Sequence, residues 1–402
     1  MKILLLNQTF YPDVVSTAQH LSELASALVE RGHQVTVITG RRAYDQPEKH
    51  FPALEIWLGV KIHRVYSTSF GKRAKWHRAA DFASFIFSAC GRLLFLPRHD
   101  VVVALTTPPL ISFIGAWRAK LWRAKFCYWV MDMNPDEAIA AGWLRADSFM
   151  AKVLEWMSRF SFQKASWIIA LDRFMRDRII AKGIAAEKVA VIPPWSQDHE
   201  VSFEAAGREM FRQLYGLQGK FVVMYSGNHS PVHPLDTLMA VAELLHTDAS
   251  VHFCFVGGGS EFKKVRQWAE AGKRSNVLCL PYQPLAQLSA SLSAADTHVV
   301  VMGDAMLGLV HPCKIYNMLA VGSPVIYIGP KPSHVTEILD SNSVNHPWCS
   351  VRHGEVEILA DQIRQYRQKS PPRKIPASII APFAKSVLLP RLIAGLEKSV
   401  DI

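Results

Sequence analysis

A chain of 402 residues with 50% hydrophobic and 20% charged residues is too long for one ordinary domain and has enough apolar material for two cores. The formal net charge of +11 favours an anionic partner, without choosing among nucleic acid, an anionic membrane surface and a phosphorylated small molecule. The six scattered cysteines contain no CxxC pair, which indicates a reducing compartment and predicts no metal site. No apolar run reaches the roughly 20 residues of a spanning helix.

The first half of the chain alternates buried-strand patterns with helical ones. The opening run 1–6 turns polar at Asn7 and resembles a first strand more than a signal sequence. Strands are predicted at 3–6, 35–39, 101–105, 126–131, 167–171 and 189–192. A helix is predicted at 17–31, and the other strands are far enough apart for helices between them. We therefore predict a doubly wound, Rossmann-like α/β domain over residues 1–195.

A second strand-and-helix series follows a mixed polar stretch, 195–219, that is typical of a linker. Strands are predicted at 221–226, 251–256, 277–280, 298–301 and 325–328, with helices between them. The pattern predicts a second Rossmann-like domain over residues 220–378. The amphipathic tail 381–402 is predicted to be a helix that packs back on the first domain.

The clearest candidate site lies at residues 310–314. Pro312 suits the first residue of a helix, whose free amides around Pro312 and Cys313 can hold a phosphate. Lys314 in the first turn opposes the helix dipole unless an anion is bound there. This pattern predicts a phosphate site that includes His311, Pro312, Cys313 and Lys314; the alternative is a solvated surface lysine.

Two glycine-bearing segments follow predicted strands of the second domain. Gly257 and Gly258 can bring backbone close to a nucleotide, although a plain strand-to-helix turn explains them as well. Gly227, Asn228 and His229 are expected at the same edge of the sheet. His233 is interpreted as a surface histidine.

Carboxylates follow a strand of the first domain at Asp132 and Asp136, and at least one is expected to point into a cleft. The alternative that Asp136 caps the following helix stays open. The basic, tryptophan-bearing segments 72–78 and 117–125 suit an anionic membrane surface, or else a charged helix face of an ordinary domain.

Several motifs occur in a specific order along nearly the whole chain. They are FYP at 10–12, L..RGH.V.V at 28–37, Asp132 with Pro135-Asp136, VIP at 191–193, SGN at 226–228, FVGGG at 255–259, Ala295-Asp296, and Lys314 with AVGSPV at 320–325. In these motifs the chain resembles retaining glycosyltransferase family 4, especially the bacterial branch that builds surface polysaccharides.

The resemblance implies an α/β GT-B fold and an enzyme that transfers a sugar from a nucleoside-diphosphate sugar, most simply a UDP-sugar, with retention and without a metal or other cofactor. Lys314 would stabilise the leaving phosphate, Asp132 would orient the acceptor or stabilise the sugar ring, and Asn317 would bind the donor sugar or ribose. Donor contacts are expected from Gly227, Asn228, His229, Gly257, Gly258, Leu280, His311, Pro312 and Cys313, and acceptor contacts from Thr17 and Asp136. The expected acceptor is a lipid-linked saccharide at the inner face of the membrane, or else a soluble small molecule, and the expected location is cytoplasmic or peripheral.

The chain departs from the family at the two positions of its usual E-x7-E pair, which are Leu309 and Asn317. This departure leaves open a second class of function, a catalytically degenerate nucleotide-binding scaffold. No G-x-G-x-x-G opens the first helix, which disfavours a dehydrogenase. No nucleic-acid-binding module is recognisable, so nucleic acid is not expected as a partner.

Overall fold

A computed structural model describes residues 1–13, 15–43, 48–71, 75–196, 201–341, 347–369, 373 and 380–401. The chain forms two compact units. Unit 1 consists of Met1–Pro194, Gly308–His311 and Leu389–Ile402. Unit 2 consists of Trp195–Leu307 and Pro312–Leu388. Residues 72–74 of the basic segment 72–78, and most of the Pro-rich stretch 371–376 before the tail, lie outside the described residues.

Unit 1 is built on a sheet in which eight strands are described, in the order β3-β4-β2-β1-β5-β6-β7-β8. These strands are β1 (Lys2–Leu6), β2 (Gln34–Gly40), β3 (Leu54–Trp57), β4 (Val60–Val65), β5 (Val101–Ala104), β6 (Lys125–Trp129), β7 (Trp167–Ala170) and β8 (Val189–Val191). All neighbours run parallel except β3 and β4. The parallel strands have almost wholly buried apolar sequences, as expected for a sheet that helices cover.

The helices of unit 1 connect these strands. They are α1 (Ser16–Glu30), α2 (Lys75–Phe95), α3 (Ile111–Trp122), α4 (Asp136–Ala140), α5 (Phe149–Lys164) and α6 (Arg173–Ala181). Helix α2 packs on β2 and β4, α3 packs on β1, β5 and β6, and α5 packs on α3 and β6. Because α2 also touches α3, these three helices form one row.

Unit 2 has a parallel sheet with six described strands, in the order β11-β10-β9-β12-β13-β14. They are β9 (Phe221–Asn228), β10 (Val251–Gly258), β11 (Val277–Leu280), β12 (Thr297–Val301), β13 (Val325–Ile328) and β14 (Trp348–Val351). The helices are α7 (Ala205–Leu214), α8 (Asp236–Leu244), α9 (Phe262–Ala271), α10 (Leu288–Ser293), α11 (Lys314–Ala320), α12 (His334–Asp340) and α13 (Val356–Lys369). The final helix, α14 (Lys385–Asp401), begins in unit 2 and belongs to unit 1 from Leu389 onwards.

The predicted linker is wrong, because 195–219 contains α7 and belongs to unit 2. Helix α7 packs on α10 and is anchored by two arginines, Arg208 and Arg212, to the carboxylate of Asp296. The polar residues of this stretch predict solvent exposure. In the structure, the guanidinium groups of Arg208 and Arg212 instead pair with Asp296, the residue directly before β12.

Within the described part of the chain, none of the helices is long and apolar enough to cross a bilayer.

Candidate functional site

The centre of the candidate site in unit 2 is the ammonium group of Lys314. The Nζ atom is buried, and none of the described residues provides a hydrogen-bond partner for it. It lies 3.8 Å from the centroid of the Tyr225 ring, and a Cβ atom built on Gly227 would lie 3.1 Å from it. Burial lowers the pKa of Lys314 from 10.5 to about 7. The ammonium of Lys314 is therefore a buried positive charge with no hydrogen-bonded anion among the described residues.

The helix that carries Lys314 begins two residues later than predicted. Helix α11 starts at Lys314 with Cys313 as its N-cap, so Pro312 lies outside it. Proline has no backbone N–H, and the amides of Ile315 and Tyr316 already donate to the carbonyls of Pro312 and Cys313. Pro312 itself therefore contributes no amide, whereas the phosphate contact predicted at the amide of Cys313 stays a prediction. The side chain of Lys314 is the anion-binding group with the clearest support.

Two histidines lie in the electrostatic field of Lys314. Burial, and then the charge of Lys314, lower the pKa of His229 to about 4 and that of His233 to about 3. The Nδ1 atom of His229 lies 3.0 Å from the carbonyl oxygen of Gly227, whereas its buried Nε2 has no partner among the described residues. His233 is buried, so its interpretation as a surface histidine is wrong.

The glycines predicted in loops are instead the last residues of paired strands. Gly227 lies opposite Gly257, and Asn228 lies opposite Gly258. A Cβ atom on Gly257 would clash with the carbonyl oxygen of Gly227, so only glycine permits this approach. The missing side chains let β9 and β10 stay paired up to the site, which brings backbone directly beside Lys314.

Three further residues of unit 2, Tyr282, Leu280 and Asn317, differ in their surroundings. Tyr282, which is 54% exposed, covers Gly258, since a Cβ atom there would lie 2.9 Å from its ring. Leu280 ends β11 but its side chain packs into the core with Val256 and Phe211. Asn317 lies in α11, half-buried, one turn after Lys314.

In unit 1, Asp132 lies in the loop after β6, and the pKa of its carboxyl is shifted. Burial raises the pKa of its carboxyl from 3.8 to about 6. The negative charges of Asp132 and Asp136 help to keep the nearby Tyr128 protonated, after the larger effect of burial on its pKa. A carboxyl with this pKa exchanges protons near neutral pH, which suits a group that contacts a reacting hydroxyl.

The other predicted acceptor residues have partners within unit 1. The carboxylate of Asp136 lies 2.9 Å from the Nζ atom of Lys182. Asp136 is the first residue of α4 and Pro135 is the N-cap, so the alternative that Asp136 caps this helix is wrong. The hydroxyl of Thr17 lies 3.1 Å from that of Thr9.

His311 belongs to unit 1, whereas Lys314 belongs to unit 2. Its Nδ1 lies 2.8 Å from the carboxylate of Asp172, which also caps α6 by accepting from the amide of Met175. Both side chains are buried. Nearby in the chain, the carbonyl of Leu309 accepts a hydrogen bond of 2.9 Å from the amide of Met133. The first position of the family's carboxylate pair therefore carries a buried leucine here.

The structure thus brings together Gly227, His229, Gly257, Gly258 and Lys314 in unit 2. Sequence reasoning missed two tyrosines. Tyr225 precedes the Ser226-Gly227-Asn228 motif, and Tyr282 follows β11. An aromatic residue at the end of a strand beside a glycine motif was the available signal for Tyr225.

The family comparison matches residues 17–195 to the glycosyl transferase 4-like domain. The chain is 24% identical over 267 residues to WbjE of Pseudomonas aeruginosa, which its name describes as a glycosyltransferase, with 66% of each chain covered. It is 25% identical over 346 residues to WcaI of Escherichia coli K12, named for colanic acid biosynthesis and glycosyl transfer, with 81% of this chain and 83% of WcaI covered.

Two solved structures match over nearly the full chain. HepE of Anabaena, in complex with UDP-glucose, superposes with a TM-score of 0.72 at 18% identity, covering 99% of this chain and 100% of HepE. Sucrose-phosphate synthase of Thermosynechococcus elongatus gives a TM-score of 0.75 at 13% identity, covering 99% and 98%. These likenesses establish the fold, and the predicted GT-B architecture is confirmed.

Proposed function

Since this chain is a glycosyltransferase of the family 4 kind with the GT-B fold, we propose that it transfers a sugar from a nucleoside-diphosphate sugar to an acceptor hydroxyl with retention of configuration. The observation that carries this proposal is the buried ammonium of Lys314, which has no hydrogen-bond partner among the described residues. UDP is the favoured nucleotide, supported by the UDP-glucose bound to HepE. The name of WcaI supports a place in surface-polysaccharide synthesis.

Lys314 is assigned to the leaving diphosphate. Because its pKa is near 7, Lys314 takes up a proton when an anion binds beside it, and the ammonium then balances the charge that develops as the glycosidic bond breaks. With this assignment we propose that transfer needs no metal ion or other cofactor. Transfer activity that persists in excess EDTA would support the proposal for metal ions. Asn317, on the same helix, is assigned to a hydroxyl of the donor sugar or ribose.

His229 is assigned to a donor hydroxyl rather than to a phosphate. Its low pKa keeps the ring neutral, and a proton on Nδ1 directed at the carbonyl of Gly227 leaves Nε2 as an acceptor. A neutral acceptor would repel a phosphate oxygen but would accept from a hydroxyl. Gly227, Gly258 and Asn228 are assigned to backbone contacts with the same ligand.

On the acceptor side, Asp132 is assigned to orient the attacking hydroxyl. The new bond forms between that oxygen and the anomeric carbon while the bond from this carbon to the phosphate oxygen breaks. In the proposed reaction the proton of the hydroxyl passes to the leaving phosphate, so no protein base is required. Thr17 and Asp136 are assigned to acceptor binding, with Asp136 held in place by Lys182.

We also propose a lipid-linked acceptor and a peripheral location on the inner, anionic face of a membrane. The row of helices α2, α3 and α5 exposes large apolar side chains, among them Phe87 and Phe95, each 82% exposed, and Trp156, 60% exposed. Residues 101–131 include four basic residues and no acidic one. Apolar side chains beside basic ones suit an anionic bilayer, and a soluble acceptor remains the alternative.

The experiment is a thermal-shift panel of UDP, GDP, ADP and CMP on the wild type, Lys314→Met and the matched control Lys264→Met. Lys264 is a 71% exposed lysine of the same unit. Selective stabilisation by UDP, lost in Lys314→Met and kept in Lys264→Met, supports the assignment. NMR of the anomeric proton of the product from UDP-sugars then tests retention.

The scaffold alternative finds no support among the relatives, and the same experiment addresses it. UDP binding without transfer or hydrolysis of any UDP-sugar would favour the scaffold. Sedimentation with phosphatidylglycerol vesicles, compared with phosphatidylcholine, tests the membrane; equal recovery in the supernatant from both favours the soluble acceptor.

A further inference from the structure

Unit 1 contains a pocket that the assignments above leave unused. It lies where α3, α4 and α5 approach the carboxyl ends of β5 and β6. Its walls include Phe113 from α3, Ala138 from α4, and Leu154 and Met157 from α5. The lining is mostly apolar, so the pocket suits a hydrocarbon better than a sugar or a phosphate.

The buried hydroxyls of Thr106, Ser112, Tyr128 and Ser158 interrupt the apolar lining, and two of them are unsatisfied within the described part of the chain. Thr106 is 4% exposed and Ser158 is 7% exposed, and the hydroxyl oxygen of each lacks a hydrogen-bond partner among the described residues. Burying an unsatisfied hydroxyl opposes folding by about 1–3 kcal/mol. A ligand that carries a polar atom next to an apolar chain would satisfy them.

The pocket is continuous with the exposed aromatic residues of the helix row. The ring of Phe113 lies 5.6 Å from that of Trp156 and 5.2 Å from that of Phe160. Trp156 is largely exposed, so Phe113 belongs both to the pocket wall and to an aromatic cluster that reaches solvent. A chain that leaves a lipid surface along this cluster would meet apolar contacts up to the pocket.

The pocket is also lined by two residues of the loop that carries Asp132 and Asp136. Asn134 and Pro135 line the pocket and belong to the segment that carries Asp132 and Asp136. A molecule in the pocket therefore contacts the loop that carries Asp132, at Asn134 and Pro135.

We propose that this pocket binds the first part of the hydrocarbon chain of an amphiphilic acceptor, and that Thr106 and Ser158 hydrogen-bond to the oxygen that joins the chain to its head. This inference rests on the proposed function, because it names the chemical class of the acceptor. It also goes beyond surface attachment, since it places part of the lipid inside the protein.

The test uses the full chain and a series of nonionic probes, methyl, hexyl and octyl β-glucoside, below their critical micelle concentrations. We expect the affinity, measured by calorimetry, to rise at least about tenfold from methyl to octyl, because each buried methylene contributes roughly 0.8 kcal/mol. Ala138→Phe and, independently, Met157→Trp fill the pocket and should remove this dependence on chain length. Ala146→Phe, at an exposed turn of the same unit, is the matched control and should keep it.

UDP binding is measured in the same samples, so that the two proposals fail separately. One outcome is a wild type that binds UDP and yet shows equal affinity for methyl and octyl glucoside. That result overturns the pocket inference and leaves the proposed function unaffected. Octyl glucoside binding that is unchanged in both filled variants overturns it as well. Absence of UDP binding in the wild type overturns the proposed function. Thr106→Val, which removes a hydroxyl at constant shape, should weaken octyl glucoside binding about threefold or more.

Discussion

Two charged clusters in unit 2 differ in what surrounds the charge. The carboxylate of Asp296 receives Arg208 at 2.7 Å, Arg212 at 2.5 Å and the amide of Val222 at 2.7 Å. The ammonium of Lys314 is buried over Tyr225 without any such partner among the described residues. A charge that is matched within the chain holds elements together, whereas a buried unmatched charge indicates that the partner comes from outside.

The largest effect is expected from removing the unmatched charge. Lys314→Met keeps an unbranched apolar chain over Tyr225 but should weaken UDP binding about 1000-fold, since a buried ion pair with the diphosphate is lost. Calorimetry measures this, with Lys264→Met as the control. Without ligand, the variant should be at least as stable as the wild type, because a desolvated charge has been removed. A UDP affinity within threefold of the wild type would contradict the comparison.

Breaking the matched cluster should affect folding and leave binding unchanged. Asp296→Ala leaves Arg208 and Arg212 without their carboxylate and should lower the free energy of unfolding by about 3 kcal/mol. Urea titration measures the change, and Asp361→Ala, which breaks an exposed pair with Arg364, should change stability by less than about 1 kcal/mol. The folded Asp296→Ala protein should bind UDP normally; a selective loss of UDP affinity would show that the matched cluster also serves the ligand.

A methyl group beside the unmatched charge should have an intermediate effect. Gly227→Ala places a Cβ atom 3.1 Å from the Nζ atom of Lys314, at a φ of +133°. We expect UDP affinity to fall about tenfold, through displacement of the ammonium and backbone strain. Gly219→Ala is the control, with a φ of +67° and open space around the new atom, and it should alter stability alone. Equal UDP affinities of the two variants would argue against a role for Gly227.

The smallest effect is a pH dependence of the unmatched charge. Because burial lowers the pKa of Lys314 to about 7, binding of an anion above this pH requires proton uptake. UDP affinity should therefore fall about fivefold from pH 7 to pH 8, and calorimetry in buffers of different ionisation enthalpy should detect the proton. Lys314→Met should lack this proton uptake, and a wild type with constant affinity would contradict the lowered pKa.

The strands that helices cover could be predicted from sequence, because full burial makes each a short apolar run. Strands β3, β4 and β14 were not predicted. Leu54 and Ile56 of β3 are exposed, 64% and 74%, so the apolar residues there do not mark the buried face, and β14 is mostly only partly buried. Helix α7 was missed because a charged residue lies on its buried face, namely Arg212, whose guanidinium group pairs with Asp296.

The glycines and Lys314 of the candidate site could be predicted to lie together. The glycines end β9 and β10, Lys314 comes after β12 in the chain, and the carboxyl ends of parallel strands share an edge. Contacts between residues far apart in sequence could not. The ion pair of Asp136 with Lys182 and the side-chain hydrogen bond between His311 and Asp172, which spans 139 positions, depend on packing that no local pattern encodes. The roles of these site residues stay predictions.

The discontinuity of the two units limits how they can be exchanged between relatives. A fragment that ends at Pro194 would lack Gly308–His311 and Leu389–Ile402. It would leave the amide of Met133 without the carbonyl of Leu309, the carboxylate of Asp172 without His311, and Arg31 without Glu397. A hybrid enzyme with a foreign unit 2 therefore needs four junctions, after Pro194, on both sides of Gly308–His311, and before Leu389, rather than a single splice between two halves.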